Sequence, residues 1–499
     1  MSRAAAAGGP TRPPRRGGAA HRQGGAAGTA PSRGRPRPAD PAREVAYETL
    51  RAVDERDAYA NLVLPALLRR ARLAPRDAAL ATELAYGTLR GRGTYDAVLA
   101  ASVDRPLAEL DPGVLDALRI GAHQLLATRV PPHAAVSTTV DLVRATSGAG
   151  ASRFANAVLR RVGGRDLAAW LAEVAPDPAA DPDGHLAVTT SHPAWVVRAL
   201  RDALRLGGRP ADELPALLAA HNERPRVAVA ALPGLAGVAE LAELSGAEPG
   251  VLSPVGAVLT GAPDAVAAVA EGRARVQDEG SQAVTLALAA ASLAGDDAGA
   301  WLDLCAGPGG KAALLAATLA ARDLLSDGRR GLVAVEVAEH RAELVRRALA
   351  PVPGRHEVRT ADGRDAAEPG RYDRVLVDAP CTGLGALRRR PEARWRRTPA
   401  DLATLGPLQR DLLHAGLDAV RPGGVVAYVT CSPHPAETSA VVQDVLRRRD
   451  DAEQLDARPA LEAATGGRAH DLGEGPAVQL WPHVHGTDAM YLALLRRTR

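Results

Sequence analysis

The chain has almost no lysine. Its 499 residues carry 61 basic side chains, and all but Lys311 are arginine. A sequence that uses arginine nearly everywhere keeps a lysine where a compact ammonium is needed rather than a planar fork. Cysteine is nearly as scarce. Three in the whole chain, Cys305, Cys381 and Cys431, are too few for a disulfide framework. They lie far apart and show no CxxC or Cys/His ligand spacing, so no metal site is expected. No apolar run approaches the roughly 20 residues that span a bilayer. The opening MSRAAAAGGPTRPPRRGG is too broken by Arg and Pro to form the apolar part of a signal peptide. A cytoplasmic protein that works away from membranes is expected.

Acid is also missing from residues 1–39, which hold eight arginines. Against a whole-chain net charge of +3, the remainder therefore carries about −5. Contact with nucleic acid must come from placed patches, because the body is not cationic overall. Residues 1–39 are rich in Gly, Ala, Pro and Arg and are expected to be a disordered tail.

From 40 to 165 apolar residues recur at three and four spacing, as in AREVAYETLRAVD, NLVLPALLRRARL and GVLDALRIGAHQLLATRV. This pattern predicts an all-α helical bundle. Residues 175–184, APDPAADPDG, read as a linker. Residues 185–290 read as a mixed α/β connecting region, with a helix at HPAWVVRALRDAL and a strand at RVAVAAL. In 291–499 short apolar runs (GAWLDLC, GLVAVEV, YDRVLVDAP, GGVVAYVTC) alternate with helical stretches. Such strands imply a parallel sheet covered on both faces, a doubly wound Rossmann-like α/β domain with ligands at the strands' carboxyl ends.

The first of these strands runs into AGPGGKAALLAATLA. Gly307, Gly309 and Gly310 let backbone amides approach a ligand closely where a helix N-terminus offers free donors. The spacing is not that of a Walker A loop or of a clean GxGxxG fingerprint. Glu336, Asp362 and Asp378 each follow or end a strand. Three acids on one rim favour S-adenosylmethionine or a nucleotide, with Glu336 suited to ribose hydroxyls. Cys381 in DAPCTGLG and Cys431 in VTCSPHPAE each follow an apolar strand, so the fold can join them across 50 residues. A thiolate in electropositive surroundings is a strong nucleophile. C5 of cytosine becomes nucleophilic once C6 has been attacked. The stretch LRRRPEARWRR (387–397) adds six arginines and Trp395, a combination suited to phosphate contact and base stacking.

LDLCAGPGGK, VDAPCTGLGALRRRPEARW and VTCSPHPAE resemble the signature motifs of the Sun or RsmB family of RNA cytosine-C5 methyltransferases. VQDEGSQAV (276–284) resembles the lead-in to their catalytic domain, and YANLVLPALL, ELAYGTLRG and FANAVLRRV resemble the NusB-like RNA-binding domain fused to it. The resemblance covers most of 40–499. Gly307 stands where the family often has Ala, and Glu336 where Asp is also common. The resemblance implies that Cys305, Ala306, Gly307, Pro308, Gly309, Gly310 and Lys311 bind S-adenosyl-L-methionine with Glu336, Asp362 and Asp378. It also implies that Cys431 is the covalent nucleophile at C6, that Cys381 helps release the product, and that Asp378 stabilises the protonated ring. The expected partner is RNA, 16S rRNA by the resemblance, contacted by Arg388, Arg389, Arg390, Arg394 and Trp395. The enzyme is expected to act as a monomer.

Three other readings compete. A non-enzymatic RNA-binding or antitermination factor leaves the two placed cysteines unexplained. An amino-group methyltransferase wants Asn/Asp-Pro-Pro-aromatic where this chain has DAPC. A redox dithiol would want CxxC, which is absent.

Overall fold

The computed structural model describes residues 39–322, 331–366 and 368–499. The tail expected to be disordered lies outside the described residues except for Ala39, which is buried.

Five helices open the fold: α1 (Pro41–Arg56), α2 (Ala60–Ala71), α3 (Pro75–Ser102), α4 (Pro112–Ala127) and α5 (Pro132–Val162). Starts are set by local chemistry. Asp40 and Asp111 accept the amides of Arg43 and Val114, and a proline stands in the first turn of each of these two helices. Of the segments singled out in the sequence, FANAVLRRV falls in the second half of α5, and none falls in the first. Gly148, at φ 87°, breaks the segment in two, and the first half buries Ala135, Thr139, Leu142 and Val143. Apolar faces of α1, α3, α4 and α5 meet around Leu84, Leu99, Leu118, Ile120, Leu142 and Leu159, as the bundle reading requires.

Four shorter helices follow: α6 (Leu167–Val174), α7 (Pro182–Thr190), α8 (Ala194–Leu206) and α9 (Leu214–Asn222). The linker reading ran to residue 184, but α7 already begins at Pro182. The Asp181 side chain accepts the Gly184 amide at 2.8 Å, a cap that composition alone hides. A small antiparallel sheet comes next, in the order β2-β3-β1-β4. It comprises β1 (Val227–Ala231), β2 (Glu248–Pro249), β3 (Gly256–Leu259) and β4 (Ala274–Val276), with α10 (Val238–Ser245) and α11 (Ala267–Ala270) interspersed. α12 (Glu279–Ala290) leads into the last domain.

That domain holds β5 (Ala300–Asp303), α13 (Gly310–Ala321), β6 (Gly331–Glu336), α14 (Glu339–Leu349), β7 (His356–Thr360), β8 (Tyr372–Asp378), α15 (Ala393–Arg396) and α16 (Pro399–Ala419). It continues with β9 (Val420–Thr430), α17 (Ser439–Arg447), β10 (Ala452–Leu455), α18 (Arg458–Thr465), β11 (Val478–Gln479), α19 (Pro482–His485) and β12 (Tyr491–Arg497). The sheet order is β10-β12-β9-β8-β5-β6-β7, with β11 paired to β12. Strands β7, β6, β5, β8 and β9 are parallel, while β12 runs antiparallel to β9.

Alternate residues of each central strand face opposite layers. Trp301, Leu332, Ala334 and Leu376 pack with α12, α13, α14 and α18; Leu302, Val333, Val335, Val375 and Val377 pack with α16 and α17. Both faces are dry, which is why the strands read as continuous apolar runs. The order reverses at β5, and the crevice beyond β5 and β8 is where a ligand belongs.

Among the described residues no helix is long and apolar enough to cross a membrane, and no three His, Cys, Asp or Glu are grouped to hold a metal.

Candidate active site

The turn after β5 is shaped by what it packs against. A Cβ on Gly307 would lie 2.1 Å from the Glu336 carboxylate at the end of β6. Gly309 adopts φ +104°, and a Cβ there would meet that of Ala348 at 2.6 Å. Gly309 therefore requires glycine, whereas a side chain at Gly307 would push the Glu336 carboxylate aside. The first turn of α13 has no side-chain cap, so its amides face the crevice unpaired by side chains. Ala306 is buried and Pro308 exposed.

Glu336 is almost fully buried. Its oxygens accept the amides of Gly307 (3.1 Å) and Ala338 (3.0 Å), and Arg341 stands 3.4 Å away. Beneath the turn, Asp303 accepts the Cys305 amide with one oxygen at 3.3 Å, while Oδ2 is buried with no partner among the described residues. Burial, with the charge of Asp378, pushes this carboxyl up to about 7. Asp303 was not among the acids singled out in the sequence, although an acid inside the apolar run WLDLC marks it. Asp362 lies on the rim after β7, where Arg364 grips it (2.6 Å) and holds it down to about 2. Burial and the neighbouring acids raise the Cys305 thiol well above its ordinary range, so it stays protonated.

These residues fit an adenosyl-methionine ligand. The turn is bare of side chains, free amides line one side, and buried acceptors with spare lone pairs line the other.

Register then assembles the other half of the site. Asp378 at the end of β8 pairs with Val429 of β9, so the chain just past each strand carries Cys381 and Cys431 to one point. Their sulfurs are 3.5 Å apart. Lys311 Nζ donates to Asp378 Oδ2 at 2.8 Å. Burial opposes the ammonium, but Asp378 outweighs it and the lysine stays charged. The Cys431 thiol is drawn below its ordinary range by its hydrogen bond with Cys381, which overcomes burial, with Lys311 and Arg390 adding positive charge. Cys381 moves the opposite way, raised by that same bond and by burial.

The arginine cluster departs from expectation. Arg388 is buried and donates to Asp488 and Asp278 (both 3.1 Å). Arg389 donates to the same two carboxylates (3.1 and 2.6 Å). Arg394 is fully buried and donates to the carbonyls of Ser191 (2.9 Å) and His221 (3.3 Å) and to Asn222 Oδ1 (2.9 Å). Trp395 packs on the backbone of Gly93, which has no room for a Cβ. A buried charge must be paired or solvated by the protein, and these residues have protein partners instead of phosphates. Arg390 is the exposed member, stacked 5.1 Å over the Tyr59 ring. With them, Glu392 accepts the Ala60 amide at 3.2 Å, and Arg396 donates to the carbonyls of Val53 (2.8 Å), Asp57 (2.9 Å) and Ala58. The segment that follows Cys381 is thus a strap laid on the N-terminal helices.

The fold and this crevice define a Rossmann-like methyltransferase domain behind a helical N-terminal domain. Residues 290–496 match the family described as 16S rRNA methyltransferase RsmB/F, and residues 40–163 match the NusB family. The chain is 53% identical over 475 residues to MT1451 of Mycobacterium tuberculosis, covering 94% of this chain and 99% of the relative. It is 32% identical over 470 residues to the ribosomal RNA small subunit methyltransferase B of Pseudomonas syringae pv. tomato, covering 91% and 96%. The crystal structure of PH0851 superposes with a TM-score of 0.73 at 21% identity over 92% of this chain and 98% of that one, a likeness of fold. The chain belongs to the RsmB/F family of S-adenosylmethionine-dependent rRNA methyltransferases.

Proposed function

We propose that this enzyme methylates C5 of a cytosine in RNA, with 16S rRNA as the substrate, through a covalent bond between Cys431 and C6. The observation that carries the reading is the 3.5 Å approach of two cysteines from different strand ends beside the Lys311–Asp378 pair. An N-methyltransferase has no use for a paired thiol and thiolate.

Residues 305–311 hold the cofactor with Glu336 and Asp362. S-adenosylmethionine, when bound, supplies an electrophilic methyl group. Cys431, poised as thiolate, attacks C6; the ring's electrons move toward C5, and Asp378 stabilises the ring as N3 gains a proton. Once C5 carries the methyl, water takes its proton, those electrons restore the C5–C6 double bond, and the C6–S bond breaks to release Cys431 as thiolate. Cys381 promotes this elimination by hydrogen-bonding the sulfur as it departs. Arg390 stands at the mouth of the site to meet RNA phosphate, and the NusB-like helices hold more distant RNA. Ribosomal RNA as substrate supports a cytoplasmic setting.

Bisulfite sequencing of total RNA from a deletion strain tests the reading. One cytosine should lose its protection in the mutant and regain it on complementation. Unchanged protection at every cytosine would defeat it.

A further inference from the structure

Both cysteine loops converge on a residue with no assigned part in the reaction. Glu437 follows VTCSPHPA and is fully buried. Its Oε1 accepts the Thr382 amide at 2.7 Å and Gln409 Nε2 at 3.2 Å, and its Oε2 accepts the Thr382 hydroxyl. Thr382 directly follows Cys381. Its hydroxyl also lies 3.1 Å from that of Ser432, which directly follows Cys431. Gln409 reaches back to the Pro380 carbonyl at 2.8 Å, so the residues on both sides of Cys381 are tied to one carboxylate. Tyr428 OH donates to the Glu437 carbonyl at 2.8 Å and fixes its backbone.

Among the described residues no lysine or arginine pairs with Glu437. An uncompensated buried carboxylate is costly, and simple loop closure would be served as well by a neutral amide. We propose that Glu437 is a positioning residue for methyl transfer, clasping the two cysteine loops so that the Cys381 thiol points its hydrogen at Cys431. Its charge matters as well as its shape, because a buried anion beside Cys381 disfavours a second anion there. The hydrogen bond with Cys431 and burial raise Cys381, the Glu437 carboxylate adds to them, and the proton stays on Cys381 while Cys431 becomes the thiolate. The other titratable groups around the pair are Asp378 and Lys311 at the crevice, Arg390 at its mouth and Tyr428 on β9, with Arg410 and His434 behind. The proposal rests on the two-cysteine reading given above.

Glu437→Gln preserves size and can still accept the Thr382 amide, but it removes the charge. Iodoacetamide alkylation of Cys381 in the RNA-free protein, followed against pH by peptide mass spectrometry, reads the thiol without any assumption about substrate. The expected shift is about one pH unit downward, or about tenfold faster alkylation at pH 8. In tritiated-methyl transfer, kcat should fall at least about tenfold with KM for RNA unchanged. Glu437→Asp, which restores the charge, should bring the alkylation profile back. An unchanged alkylation profile in Glu437→Gln, or an unchanged kcat, overturns the proposal. If the wild-type protein methylates no cytosine, the functional reading falls, while the alkylation arm still decides whether Glu437 sets the cysteine pair.

Discussion

Lys311 Nζ sits 2.8 Å from Asp378 Oδ2, and the ammonium so held also bears on the Cys431 sulfur. The chain's only lysine therefore links an acid at the end of β8 to a thiol just past β9. Lys311→Met should raise the Cys431 thiol toward its ordinary value. Because the thiolate is the reactive form, the rising limb of kcat/KM against pH should move to higher pH, with most activity at neutral pH lost. A limb that stays in place would mean that Lys311 does not tune the nucleophile.

Cys431→Ala should abolish methyl transfer and leave cofactor affinity nearly intact, since in the proposed mechanism the thiol makes the covalent bond and it lies off the glycine turn. Tritiated-methyl transfer and cofactor titration on the same variant check this. Substantial residual turnover would remove Cys431 from the nucleophile's role.

Cys381→Ala should still attack and methylate but fail to let go, so a protein–RNA species should survive denaturing electrophoresis. The double variant with Cys431→Ala should trap nothing. A trap that appears on removing Cys431 instead would exchange the two roles.

Asp303 ties cofactor-free stability to pH. Its folded carboxyl titrates at about 7, above its unfolded value, so the folded state binds the extra proton. That contribution is complete below about pH 4 and is lost as pH rises toward about 7. Asp303→Asn should flatten the wild-type decline in urea midpoint across this window, measured without cofactor. Parallel curves for the two proteins would falsify the assignment.

The two kinds of arginine in the cluster should behave oppositely. Asp278→Ala leaves Arg388 and Arg389 to share Asp488 alone, one carboxylate for two guanidiniums, and should cost about 3–5 kcal/mol in urea unfolding. Arg390→Ala should leave stability within about 0.5 kcal/mol but weaken RNA binding and reduce its salt slope by about one. An Arg390→Ala protein with wild-type salt dependence would return that residue to plain surface.

The doubly wound sheet was legible because dry faces on both sides write continuous apolar runs, and the cysteine motifs lie just past such runs. The arginine cluster was misread for a physical reason. LRRRPEARWRR shows charge and proximity to Cys381, but Asp278 and Asp488, the partners that bury it, lie about a hundred residues away on either side. The helix starting at Pro182 was hidden because Asp and Pro signal a turn and a helix cap equally well. Glu437 closes the motif VTCSPHPAE, yet its contacts with Thr382 and Gln409 exist only once three segments meet.

The strap that follows Cys381 meets the N-terminal helices mostly through main-chain atoms: the carbonyls of Val53, Asp57, Ala58, Arg90, Ser191 and His221 and the amide of Ala60. Every residue type carries those carbonyls, and every type but proline carries the amide. The junction is therefore lopsided in what it demands of heredity. Side chains on the helical side can drift more freely, apart from Gly93 beneath Trp395, Asn222 beside Arg394 and Tyr59 beneath Arg390 and Arg396. Glu392, Arg394 and Arg396 have no such freedom, and substitutions that uncouple the two halves of the protein should collect on the catalytic side of the seam.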